Sequence, residues 1–204
     1  MLNEASLSRL HQHISNHDSA IITAFRADPA SSESCVTKSP SADQEKAPLS
    51  VNKQRNKDLK AVLLRKGYGV TRVDGSYIEN FDDPSARKEV SEESFFVVNL
   101  KGTEDFIPTI EKLGRIFCQD SVLIIPQGGR GAYLFGTNDA WPGLGLTEPV
   151  GDFTGGKEAE FMSRIRKRPF IFKEVGENTE TYNDLSRNSK WAVAKIAERI
   201  LSEE

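Results

Sequence analysis

Between residues 68 and 137, strand-like runs follow one another with a single helical segment among them. That succession constrains the fold of this chain more than any other feature. Tyr68 to Val73, Ser76 to Glu79, Ser94 to Leu100, Ser121 to Pro126 and Gly131 to Thr137 are rich in β-branched and aromatic residues. Only 104–118 breaks the series, with Phe106, Ile110, Leu113 and Phe117 at helical spacing. Parallel neighbours need a long crossover, usually a helix, between each pair. Strands that succeed one another directly pair antiparallel instead. The expected class is therefore α+β, a mixed, mostly antiparallel sheet with helices packed against it.

The flanks add to this frame. Leu7, Leu10 and Ile14 mark an amphipathic helix over 4–16, and Ala20 to Phe25, apolar on both faces, reads as a buried strand. A helix over about 52–66 stops at Gly67, Pro169 to Val175 is a last strand, and Val193, Ile196, Ala197, Ile200 and Leu201 give a final helix over about 183–202. Asp74-Gly75 predicts a tight hairpin turn between the strands on either side of it. Residues 28–52 hold six Ser, three Pro and no aromatic residue, too little apolar surface to offset ordering, and read as a mobile insertion. Residues 139–160, rich in Gly and Pro, read as a long loop. All of this fits one domain over 1–204.

Charge narrows the partners. Net charge is −3, so the chain as a whole does not attract nucleic acid or a membrane surface. The charges are nevertheless segregated: 53–72 is net +6, 164–173 net +5 and 74–93 net −5. Solvated faces and mutual pairing account for such blocks. The alternative is nucleic-acid contact through Lys53, Lys57, Lys60, Arg166, Lys167 and Arg168. No apolar run approaches the roughly 20 residues of a membrane span, and a cytoplasmic protein is expected. The two cysteines, Cys35 and Cys118, have no metal-type spacing, and all three histidines, His11, His13 and His17, lie within the first 17 residues. No metal, no cofactor and no Ser-His-Asp or Cys-His set is expected.

The helix over 52–66 carries the candidate site. Lys53, Lys57 and Lys60 share one face, while Leu59, Val62 and Leu63 form the core face. Arg55 and Asn56 extend that core face toward the helix N-terminus, where polar groups need partners. One reading is a structural clamp. The other is an anion site, with Arg26 at the end of the preceding strand and Glu79 or Glu93 at its rim. The candidate ligand-binding residues are thus Arg26, Arg55, Asn56, Glu79 and Glu93.

The serial pattern resembles an uncharacterised family found in tailed bacteriophages and bacterial mobile elements. Its pieces here are Ile22-Thr23-Ala24-Phe25, Arg55-Asn56-x-x-Leu59, Gly67-Tyr68-Gly69, Val73-x-Gly75-x-Tyr77-x-Glu79, Glu93-Ser94-Phe95-Phe96 and Gln119-Asp120-Ser121-Val122, covering about 20–138. The resemblance implies a phage or prophage origin and a compact α+β domain, and brings no catalytic residues with it. Three functions follow as expectations. The first is a phage-type accessory protein that binds a host factor or a small anionic ligand in host takeover or counter-defence. The second is an enzyme acting on a nucleotide or nucleic acid through an Arg/Asn/Glu pocket. The third is a minor virion component.

Overall fold

The computed structural model describes residues 4–26, 49–79, 88–140, 142–152, 163–165 and 168–174. The elements are α1 (Glu4–Asn16), β1 (Ser19–Ile22), α2 (Leu49–Lys66), β2 (Gly69–Glu79), β3 (Lys88–Val98) and α3 (Phe106–Ile116). β4 (Ser121–Ile125), β5 (Ala132–Gly136), β6 (Thr147–Gly151), β7 (Ser163–Ile165) and β8 (Arg168–Glu174) follow. The strands form one eight-stranded sheet in the order β6-β5-β4-β1-β3-β2-β8-β7, every pairing antiparallel. The α+β class expected from the strand succession holds.

The two faces of the sheet are covered by different helices. Ala20, Ile22, Phe95, Val97, Val122 and Ile124 point to one side, where Leu59, Leu63, Ile110 and Leu113 of α2 and α3 complete a core. Their neighbours Ile21, Phe96, Val98, Leu123 and Ile125 point to the other, where Leu10 and Ile14 of α1 pack. Such alternation is what a sheet buried on both faces requires. Tyr68 closes one end of the first core, edge-on to Phe106 with ring centroids 5.0 Å apart.

Several local expectations give way to longer-range pairing. Asp74-Gly75 makes no turn: β2 runs straight through both residues, with β3 on one side and β8 on the other. A turn there would forfeit ladder bonds on both edges, and glycine tolerates extended backbone. β3 begins at Lys88, six residues before the expected start at Ser94, because β2 supplies a partner along its whole length. The expected loop over 139–160 contains β6, which adds to the edge of β5 despite Pro149 and Gly151. At the junction, Gly136 passes so close to Gly143 that a Cβ would run into the Gly143 carbonyl. α2 starts at Leu49, so the last residues of the 28–52 insertion are helical. The expected final helix over 183–202 lies outside the described residues, as does most of the insertion.

Candidate functional site

The strand expected over 20–25 stops at Ile22, because its ladder partners end: Ile22 faces Phe95, and Ile21 faces Leu123. The backbone of the next four residues would be left with unmet bonds in a buried place. Side chains of α2 meet them. Asn56, 1% exposed, accepts from the Ala24 amide at 2.7 Å and donates to the Glu93 carbonyl at 2.8 Å. One helical turn earlier, Asn52 accepts from the Arg26 amide at 3.0 Å and donates back to the Arg26 carbonyl at 2.8 Å. Between them, Arg55 Nε donates to the Ala24 carbonyl at 2.8 Å. The helix acts as a surrogate strand, offering amide groups at the spacing of its own turns.

The same end of the sheet gathers the turn after α3. Arg55 Nη2 reaches the Phe117 carbonyl at 2.5 Å, and its guanidinium lies 5.9 Å from the centre of the Phe117 ring. Arg26 Nη1 donates to the Cys118 carbonyl and pairs with Asp120 at 3.1 Å. Asp120 also accepts from Asn138 at 2.8 Å. Gln119 Nε2 donates to the carbonyls of Phe25 and Phe117 at 3.2 and 3.1 Å. Cys118 sits at a positive φ of 55° and is disulfide-bonded, its partner lying outside the described residues. Burial, and then the nearby charge of Arg26, lower the pKa of Arg55, leaving it a cation tied to carbonyl oxygens.

Arg26, Arg55 and Asn56 therefore do converge, as their spacing suggests, and the bonds described for them run to the chain itself. The two glutamates stand elsewhere. The Glu93 carboxylate pairs with Arg72 on the neighbouring strand at 2.9 Å. Its backbone carbonyl takes bonds from Asn56 and from the Thr23 hydroxyl, the latter at 2.8 Å. Glu79 ends β2 opposite Lys88, at the far end of the β2–β3 ribbon. Thr23, Gln119 and Asp120 lie within the motif pieces of the resemblance but are absent from the candidate set, and Asn52 is in neither. The repetition of Asn at 52 and 56, one turn apart on a face otherwise apolar, is the signal that points to Asn52.

Of the basic segments, Lys53 and Lys57 are exposed on the outer face of α2. Arg168 opens β8 opposite Ile165, while Arg166 and Lys167 lie outside the described residues. The rings of His13 and His17 are 6.2 Å apart, and among the described residues no three His, Cys, Asp or Glu gather in a metal-holding group. No helix among the described residues is long and apolar enough to cross a membrane.

The model of the S-adenosylmethionine lyase family matches residues 40–192, which is most of the chain. The protein belongs to that family. The phage association read from the sequence motifs stands, since the family is a phage-associated one; it carries the name of an enzyme activity. No curated protein and no solved structure matches the chain. Membership corrects the functional expectations. A binding accessory directed at a host factor or a small anion gives way to a family of enzymes, and the virion component goes with it. The enzyme alternative, aimed at nucleotides or nucleic acid, misses the substrate for which the family is named. The reason is physical: the arginine-centred reading looked for an anion, whereas the reacting centre of S-adenosylmethionine is a cation.

Proposed function

We propose that this protein cleaves a carbon–sulfur bond of S-adenosylmethionine without water. The observation that carries this reading is the family match across 40–192. The substrate's sulfonium is already a good leaving group, so the chain need not create one. The route that asks least of the protein is internal displacement. An oxygen of the substrate's own carboxylate forms a bond to the γ-carbon, the γ-carbon–sulfur bond breaks, and its electron pair goes to sulfur. The products are homoserine lactone and the neutral thioether 5′-methylthioadenosine. No proton moves in that step, so no general base is demanded.

What remains for the protein is to recognise the cation, which is binding, and to hold the methionine chain folded with its carboxylate in line with the γ-carbon–sulfur bond, which is catalysis by positioning. Carboxylates suit the first task, and the β2–β3 ribbon is where the chain concentrates them. Asp74 faces Glu93 across its strands, Gly75 faces Glu92, and Glu79 stands two residues beyond Tyr77. In this reading Asn52, Arg55 and Asn56 hold the end of the sheet on which the ribbon is mounted, and Glu79, rather than the Arg72-paired Glu93, is the carboxylate offered near the substrate. The experiment is direct. Purified protein incubated with S-adenosylmethionine should release 5′-methylthioadenosine in step with substrate loss, followed by liquid chromatography and mass spectrometry. Unchanged substrate would overturn the reading.

A further inference from the structure

The two long faces of α2 meet different surroundings. Asn52, Asn56, Leu59 and Leu63 on the inner face are taken up by the clamp and the core. The outer face carries Lys53 and Lys57, both exposed, and Lys60, half-buried, at i, i+4 and i+7. Near the C-terminus Arg65 and Lys66 suit the helix dipole, and Lys66 is answered by Asp105 at 3.1 Å. Lys53 and Lys57 have no such answer: among the described residues neither makes an ion pair. Asp58, the single acidic residue of α2, is half-buried and accepts a bond from Gln54 at 2.9 Å.

This arrangement works against the helix. Like charges one turn apart repel. The first turn of α2 holds no acidic residue to offset them. Solubility asks for charge but is served better by interspersed signs, and the core makes no demand on this face. A row of one sign is therefore the feature that folding does not explain.

The helical rise of about 1.5 Å per residue spreads the three lysines over about 10 Å. That is about three base-pair steps of a duplex, each strand of which offers a phosphate every ~3.4 Å along the axis. Ammonium groups on flexible stems meet phosphates as point charges. No aromatic residue occurs in α2, so stacking on unpaired bases is not on offer, and three lysines position a backbone without reading bases. The overall charge of −3 does not oppose this, because salt limits each exposed charge to a reach of about 10 Å at 0.1 M.

We propose that the Lys53–Lys57–Lys60 stripe of α2 is a contact surface for the phosphate backbone of duplex DNA, independent of base sequence. It lies beyond the lyase reading and does not depend on it.

The test is fluorescence anisotropy of a labelled 24-base-pair duplex titrated with the full chain. Affinity should fall in the sequence-independent range of roughly 1–100 μM, and raising salt from 50 to 200 mM should weaken it by about 40-fold, as three released counterions require. Lys53→Gln with Lys57→Gln leaves one contact, so the same rise in salt should weaken what binding remains by only about 4-fold. That double variant should melt no lower than wild type, since it relieves repulsion, and should turn over S-adenosylmethionine unchanged. Lys101→Gln with Arg130→Gln removes the same charge from an exposed loop and the β4–β5 turn, and should bind like wild type.

Equal loss in the two double variants would mean general attraction to a cation and overturns the surface. Binding with wild-type salt dependence in Lys53→Gln with Lys57→Gln overturns it too. A single strand of the same length held more tightly than the duplex, or polyglutamate held as tightly, overturns the choice of duplex DNA. Loss of S-adenosylmethionine turnover in the wild type bears on the lyase reading alone.

Discussion

The two ends of β2 and β3 treat their polar residues in opposite ways. Near Glu93 the backbone carbonyl is taken by Asn56 and Thr23, and the surrounding amides and guanidinium groups reach carbonyl oxygens of Ala24, Arg26, Phe117 and Cys118. Chemistry that looks suited to gripping an anion is occupied in holding the chain. Toward Glu79 the backbone ladder continues on both sides of β2, and the residue types along it change to carboxylates and aromatics around a glycine. A buried polar cluster is thus a poor guide to function when its bonds run to the backbone.

Mutations that break the clamp should cost the most. Asn56→Ala leaves the Ala24 amide and the Glu93 carbonyl buried without partners, and should cost about 2–4 kcal/mol, read by urea unfolding. Asn56→Asp should not rescue it, because a carboxylate cannot donate to Glu93. Arg55→Lys comes next, with a loss of about 1–3 kcal/mol, since an ammonium cannot serve both the Ala24 and the Phe117 carbonyl in the same geometry. A neutral outcome for either would place the clamp's importance elsewhere. The ribbon should show the converse. Glu79→Gln should shift stability by no more than about 0.5 kcal/mol while lowering turnover, a separation the clamp variants cannot show.

Two smaller effects sharpen the comparison at the opposite end of the first core. The Tyr68 hydroxyl is buried near Thr103 and Thr109 without a well-formed hydrogen bond among the described residues, and burial pushes its pKa up. Tyr68→Phe removes a polar group without a partner and should leave stability unchanged or raise it by up to about 1 kcal/mol. A clear loss would mean that the hydroxyl is bonded. The smallest effect concerns Asp105, whose carboxyl is held below its ordinary value chiefly by the hydrogen bond from Lys66 at 3.1 Å, with burial opposing. A depressed acid stabilises the fold above its unfolded pKa, and that contribution fades as pH falls through its folded value. The melting-temperature gap between wild type and Asp105→Asn should therefore be widest near neutral pH and close in acid.

Much of the fold is legible because the signals that make it are local. The spacing of Ile110 and Leu113 gives α3, and the apolar runs over 121–125 and 132–136 give β4 and β5. Where the sequence misleads, a distant partner decides. Asp74-Gly75 carries a turn signal in any short window, yet Lys173 and Phe172, almost a hundred residues on, pair with it as a strand. β6 is equally invisible locally, since Pro149 and Gly151 disfavour a strand until β5 offers an edge. Arg26, Arg55 and Asn56 were legible as a cluster with two readings, clamp or anion site, and the carbonyls they bind carry no mark in the sequence that would choose between them. The activity is harder still. A reaction in which the substrate supplies its own nucleophile and leaving group requires no familiar set of catalytic side chains.

The most direct test of that claim is to run the reaction in water enriched in oxygen-18 and to weigh the products at early times. Internal displacement yields 5′-methylthioadenosine together with homoserine lactone that carries no label, because both lactone oxygens come from the substrate's carboxylate. Homoserine with oxygen-18 in its hydroxyl group, or S-adenosylmethionine recovered intact, would contradict it.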